Sequence, residues 1–234
     1  MHKAPRGIMA LFDWLGRCGY WVGFIIIYLV DSMILTTATS LASTQPAAAT
    51  RMIGIMLIYS AGLLAFISWR YQKQLDYDNP RHFGRTPLTF QRLGQLIALF
   101  LLMYGVQILW NVLIGTHVLS SPANQTTINQ QVQLLPFWNL AYSVFFAPVI
   151  EELIFRGIFL NYFFRKNNRW MNLLGVFVSG LIFGYMHVGG FSWTLLMYSA
   201  LGWVLGFAYL HFRDIRYDIA LHFMNNALSL LAFV

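Results

Sequence analysis

The sequence predicts an all-α fold, a polytopic transmembrane helix bundle of about seven spans. Three observations lead there. The 234 residues are 58% hydrophobic and only 10% charged, with a mean hydropathy of +0.59, whereas soluble domains carry about 25% charged residues. Apolar stretches of about 20 residues, enough to cross a hydrocarbon core, recur along the chain. The charges, finally, gather in alternate connections.

The spans read as 18–38, 51–69, 93–114, 137–164, 171–189, 192–211 and 215–234. Nearly every residue is needed for them, so 1–234 reads as a single membrane domain. The first has Lys3 and Arg6 ahead of it and small residues, Thr36 to Ser43, behind it, the outline of a cleavable signal peptide. The aromatic residues Phe12, Trp14 and Trp21, with Asp31 inside the apolar run, favour a retained span instead. The fourth is too long for one crossing, and Pro148 is expected to break or kink it, because proline has no N–H and clashes with the preceding turn. The last is short and partly polar.

Charge placement orients these spans. Lys3, Arg6 and Arg17 precede the first; Arg70, Lys73, Arg81, Arg85 and Arg92 follow the second; Arg165, Lys166 and Arg169 follow the fourth; Arg213 and Arg216 separate the last two. Connections 39–50, 115–136 and Val188–Ser192 carry none. By the positive-inside rule the N-terminus is inside and the C-terminus outside. The net charge of +7 thus reflects topology, and no basic face joins a soluble fold to suggest nucleic acid. Asn124-Gln125-Thr126 matches a glycosylation sequon, a pattern common by chance. Segments 39–50 and 115–136 read as external loops, and 70–92, with its Asn79-Pro80 and Thr86-Pro87 turn signals, as an internal one. No internal repeat supports a transporter built on inverted repeats. Cys18, the single cysteine, has no disulfide partner and makes no metal site.

The chemistry concentrates at a few positions. The two glutamates of the chain are adjacent, Glu151 and Glu152, and Arg156 follows four residues after the second, all inside an apolar span. Each such charge costs roughly 2.5–3.5 kcal/mol on insertion scales and is read by default as functional. Residues four apart share a helix face, whereas adjacent ones point about 100° apart. Glu152 can therefore pair with Arg156, leaving Glu151 free as a general base. The bland alternative is a Glu–Arg pair that only locks helix packing.

Two later spans carry FxxxH (Phe183, His187) and HxxxN (His222, Asn226). A lone histidine at a span end is more often interfacial. Gly180 and Gly184, however, would let another helix approach His187 closely. His222 and Asn226 share a face and could serve an oxygen that gains charge in a transition state. Their bland reading is interhelical hydrogen bonding, worth about 0.6 kcal/mol in membranes. Asn225 points elsewhere, Asp218 could orient His222 from one turn earlier, Asp31 is less specific, and His117 and His211 read as interfacial. Taken together, EExxxR, FxxxH and HxxxN in order are far more specific than any one of them.

This constellation, Glu151-Glu152-Leu153-Ile154-Phe155-Arg156, Phe183 to His187 and His222 to Asn226, resembles the intramembrane CAAX protease and bacteriocin-processing (Abi) family. The resemblance covers Phe137 to Val234 as a catalytic core; 1–136 would be accessory spans. It implies peptide-bond hydrolysis within the membrane, acting on a membrane-associated or lipidated peptide. Glu151 and His187 would bind and activate water, His222 and Asn226 would stabilise the oxyanion, and Glu152 and Arg156 would support the site. It also implies a bacterial type in the plasma membrane, serving peptide maturation or bacteriocin self-immunity. A divalent metal such as zinc on Glu151, His187 and His222 and a metal-free glutamate mechanism both fit that resemblance; no HExxH helix is present. The rival class is a non-enzymatic immunity or binding protein, or a small proton-coupled transporter. One tension stands: these spans place His187 near the outer end of its helix and His222 near the inner end of its own.

Overall fold

The computed structural model describes residues 7–119 and 123–230. Lys3, Arg6 and the last four residues of the predicted seventh span lie outside the described residues. Among the described residues the chain is helical, without strands: α1 Ile8–Leu41, α2 Pro46–Tyr77, α3 Phe90–Gly115, α4 Ala123–Leu134, α5 Pro136–Ala141, α6 Ala147–Glu152, α7 Phe159–Phe163, α8 Arg169–Val188, α9 Trp193–Phe212 and α10 Ile215–Leu230. Helices α1, α2, α3, α8 and α9 are each long and apolar enough to cross a membrane. They turn large apolar side chains outward, Met33, Ile58, Leu102 and Phe177 among them, as lipid requires and water does not. The chain is an integral membrane helix bundle. The other two predicted spans fall on the broken segment 136–163 and on α10, which is described from Ile215 to Leu230. The connection 115–136, read as a loop, contains α4. Its run of Asn, Gln and Thr hides a helix that has no strong apolar periodicity to announce it.

Local chemistry sets the helix ends. Pro46 starts α2, where a missing N–H costs nothing. Thr89 caps α3 by accepting from the Arg92 N–H at 3.2 Å, and Asn168 caps α8 by accepting from the Met171 N–H at 2.9 Å. Helix α8 stops at Gly189, whose φ of 70° is left-handed.

Segment 136–163 is interrupted twice, by π turns at Tyr142–Phe146 and Leu153–Ile158. The first lies immediately before Pro148, which occupies the first turn of α6. A wider turn there accommodates the proline without the clash an α-helix would impose. Widened turns leave backbone carbonyls to be satisfied from elsewhere. Asn226 donates to the Ser143 carbonyl at 2.9 Å, Trp21 to that of Ile154 at 3.1 Å, and Ser179 to that of Phe155 at 2.8 Å. Three helices are thereby tied to the broken one, and the two glutamates sit between its π turns.

The three basic connections meet at one end of the bundle. Arg165 pairs with Asp78, and the buried Arg81 guanidinium donates to the carbonyls of Phe164 and Lys166, closing the end of α7. The Gly84 N–H donates to the Arg213 carbonyl at 2.9 Å and the Thr86 N–H to the Asp214 carboxylate at 2.8 Å. Connections 78–89, 164–168 and 213–214 thus share one face, as the charge pattern expects.

Helices α8 and α9 form the most extensive helix pair. A Cβ on Gly202 would lie 2.8 Å from the Gly180 Cα, and one on Gly184 would lie 2.8 Å from the Ser199 backbone nitrogen. Backbone rests on backbone here, which only glycine permits.

Candidate active site

The site is built outward from α6. Glu152 and Arg156 are fully buried and pair at 2.8 Å between Oε1 and Nη1. Arg156 also donates to the Gly202 carbonyl at 3.1 Å, within reach because the glycine contact brings α9 close. Its guanidinium lies over the Phe183 ring, 4.5 Å from the centroid, a cation–π geometry. Burying this charge would be ruinous unless it were paired, and it is paired on two sides.

The same Glu152 Oε1 lies 2.6 Å from Nδ1 of His222. A carboxylate can only accept, so Nδ1 carries the hydrogen and Nε2 is turned forward. That corrects one expectation. Asp218 does not orient His222; it is buried beside Glu152, whose carboxylate takes the orienting role from another helix.

Glu151 points away from this pair. One of its carboxylate oxygens accepts from the Tyr28 hydroxyl. The other faces Nε2 of His222 at 3.8 Å, too long for a direct hydrogen bond. Asn226 spends one amide hydrogen on Ser143 and accepts from Asn225 at 3.2 Å, and Gln107 in α3 donates to Asn225 at 2.8 Å.

His187 and His222 contact the same ring, that of Phe183. Its Nδ1 lies 2.8 Å from the Phe183 carbonyl one turn earlier. The ring therefore leans back towards the start of α8, as helical side chains do, and lies inward of its own Cα. It stacks on Tyr198 at 4.9 Å and touches Phe183 at 4.3 Å, while His222 meets the other side of Phe183 at 5.8 Å between centroids. A carbonyl only accepts, so Nδ1 holds the proton and Nε2 offers its lone pair.

Glu151, His187, His222 and Asn226 all line one cavity of about 1130 Å³, shared with Tyr28, Ser143 and Gln107. Glu152 and Arg156 stand behind it. Four of the six residues singled out in the sequence face a common space and two buttress them. Sequence reasoning missed Tyr28, Gln107 and Ser143; the one available signal was Asp31, an acid inside the first span one turn from Tyr28. Among the described residues no three His, Cys, Asp or Glu side chains are close enough to hold a metal ion. The trio Glu151, His187 and His222 therefore does not fit a metal as arranged.

Fold and cavity define a membrane helix bundle with an open cavity into which several polar side chains project. Residues 133–228 match the model of the type II CAAX prenyl endopeptidase Rce1-like family. Two curated proteins are similar. YdiL of Bacillus subtilis, a candidate membrane peptidase, is 31% identical over 103 residues, 44% of this chain and 40% of that protein. YvdC of Lactococcus lactis is 25% identical over 179 residues, 75% of this chain and 59% of that protein. The matches thus span less than two thirds of either relative. No solved structure matches.

Proposed function

We propose that the chain is an intramembrane endopeptidase in which Glu151 activates water. The observation that carries this reading is the gap between Glu151 and His222: 3.8 Å from carboxylate oxygen to Nε2, opening onto a cavity also lined by His187 and Asn226. Such a gap suits a small reacting group held between the two side chains.

A water held by Glu151 and the Nε2 lone pair of His187 gives one proton to the Glu151 carboxylate as its oxygen adds to the peptide carbonyl carbon. The carbonyl oxygen gains negative charge. The second amide hydrogen of Asn226 and, when both its nitrogens are protonated, the Nε2–H of His222 stabilise that charge. The C–N bond then breaks, and the proton held by Glu151 passes to the departing amine, leaving a carboxyl and an amino terminus. Glu152 and Arg156 hold His222 in the required tautomer and do not meet the substrate.

The substrate class is a membrane-associated or lipidated peptide, as the family match supports. The setting is a bacterial plasma membrane with the N-terminus inside, and the role is peptide maturation or bacteriocin self-immunity. Comparative peptidomics of membranes carrying the active protein or its Glu151→Gln variant tests the reading. Peptides shortened only with the active protein support it; identical peptide profiles at equal protein abundance overturn it.

A further inference from the structure

Helix α1 lies outside the family-matched segment 133–228, yet its Tyr28 makes a polar contact to Glu151. Tyr28 donates its hydroxyl to one carboxylate oxygen of Glu151. One turn further along α1, the fully buried Asp31 accepts from the Tyr142 hydroxyl at 3.0 Å. The two bonds run in opposite directions between the same two elements. A tyrosine of α1 reaches an acid of the broken helix, and a tyrosine of the broken helix reaches an acid of α1. Ser60 in α2 braces the second bond, lying 2.7 and 2.9 Å from the two Asp31 oxygens. Aromatic packing reinforces the register: Trp21 lies against Phe155 and Phe159 and donates to the Ile154 carbonyl.

We infer that Tyr28 is a positioning residue for the hydrolytic reaction, holding one oxygen of Glu151 so that the other faces the cavity, with the Asp31–Tyr142–Ser60 bonds fixing α1 in the register that Tyr28 needs. The inference rests on the proteolytic reading above. The carboxylate has two oxygens and a free torsion. Without a donor on the first, neither is fixed towards His222, and misplacement of a catalytic group by about an ångström can cost on the order of a hundredfold. The groups that face Glu151 are Tyr28 from α1, Tyr142 from the first π turn, His222 from α10 and the adjacent Glu152. Of these, Tyr28 alone reaches it within hydrogen-bond distance.

The test uses the full chain in lipid vesicles and a farnesylated CAAX-type peptide with a quenched fluorophore. Tyr28→Phe keeps the ring and removes the donor. It is expected to lower kcat by at least about tenfold with KM changed less than about twofold, the pattern of an interaction that acts only on the chemical step. Ser60→Ala, which loosens the brace that sets this register, is expected to lower the melting temperature and to lower kcat in the same direction as Tyr28→Phe but by less. A second readout needs no turnover: melting temperatures of Tyr28→Phe, Glu151→Gln and the double variant. Non-additive shifts show that the two residues interact. Additive shifts, or an unchanged kcat in Tyr28→Phe, overturn the proposal. A wild-type chain that cleaves neither this probe nor any peptide in the membrane comparison, while the shifts stay non-additive, overturns the proteolytic reading and the positioning role with it, leaving a structural clasp alone.

Discussion

Glu152 and His222, seventy residues apart in the chain, meet at 2.6 Å between Oε1 and Nδ1 in a fully buried setting. One carboxylate oxygen thereby serves two partners, the Arg156 guanidinium and the His222 ring. Its removal should do two kinds of damage. Glu152→Gln and Arg156→Ala each leave a buried charge uncompensated, a loss of about 3–5 kcal/mol by analogy with soluble proteins. Glu151→Gln, whose side chain faces the cavity, should keep the melting temperature within a few degrees. Thermal unfolding of the three variants in detergent checks this; equal destabilisation by Glu151→Gln and Glu152→Gln would contradict the division of labour.

The close contact of α8 on α9 predicts intolerance of any side chain there. A Cβ on Gly180 would lie 2.2 Å from Trp203 and one on Gly184 2.5 Å from Ser199 Oγ, with the Ser199 backbone nitrogen just behind. Overpacking of this kind costs typically about 1–3 kcal/mol. Gly184→Val should lose stability and also activity, since the same contact brings the Gly202 carbonyl to Arg156. An unchanged melting temperature would show that the helices can part without penalty.

The membrane arrangement was legible where it rests on composition and charge. Five of the seven predicted spans coincide with long apolar helices, and the basic connections gather at one end because repeated Lys and Arg mark alternate loops. Spans four and seven were less legible. Pro148 announced an interruption, but the two π turns depend on side chains of other helices, Asn226, Trp21 and Ser179, which take up the freed carbonyls. The pairing of Glu152 with Arg156 was readable from their spacing of four. The partner of His222 was not: Asp218 stands at helical spacing, whereas Glu152 arrives from another helix. The leaning of His187 onto the Phe183 carbonyl brings its ring against the same phenylalanine that His222 touches, a contact between helices that spacing alone does not announce. Tyr28 escaped notice because a tyrosine in an apolar span carries no signal until its partner is known.

Sidedness follows from the clustered loops. Single cysteines placed in 78–89 and at the Gly189–Ser192 turn, in a chain with Cys18 replaced, should react with an impermeant thiol reagent from opposite sides of intact cells. Labelling of both from one side would contradict the positive-inside arrangement.

Asp214 makes stability depend on pH. Burial would raise its pKa, but hydrogen bonds from the Arg216 side chain and from the Thr86 and Arg216 backbone N–H groups outweigh that and hold it below the usual carboxylate range. A group depressed in the fold stabilises it fully above its unfolded value, near pH 4, and loses that contribution as pH falls through the folded value. Asp214→Asn should therefore lower the melting temperature at neutral pH and flatten its fall below about pH 4. A variant with the same acid slope as the wild type would show that this staple does not link the two loops.

Glu151 is proposed to activate water for peptide hydrolysis. Purified wild-type and Glu151→Gln chains in lipid vesicles, given in H₂¹⁸O the peptides that the membrane comparison identifies, test it most directly by mass spectrometry of the products. Wild-type protein should yield two fragments with one ¹⁸O in the new carboxyl terminus, and the variant, folded and equally abundant, should yield none above background. Full cleavage by Glu151→Gln would contradict the account.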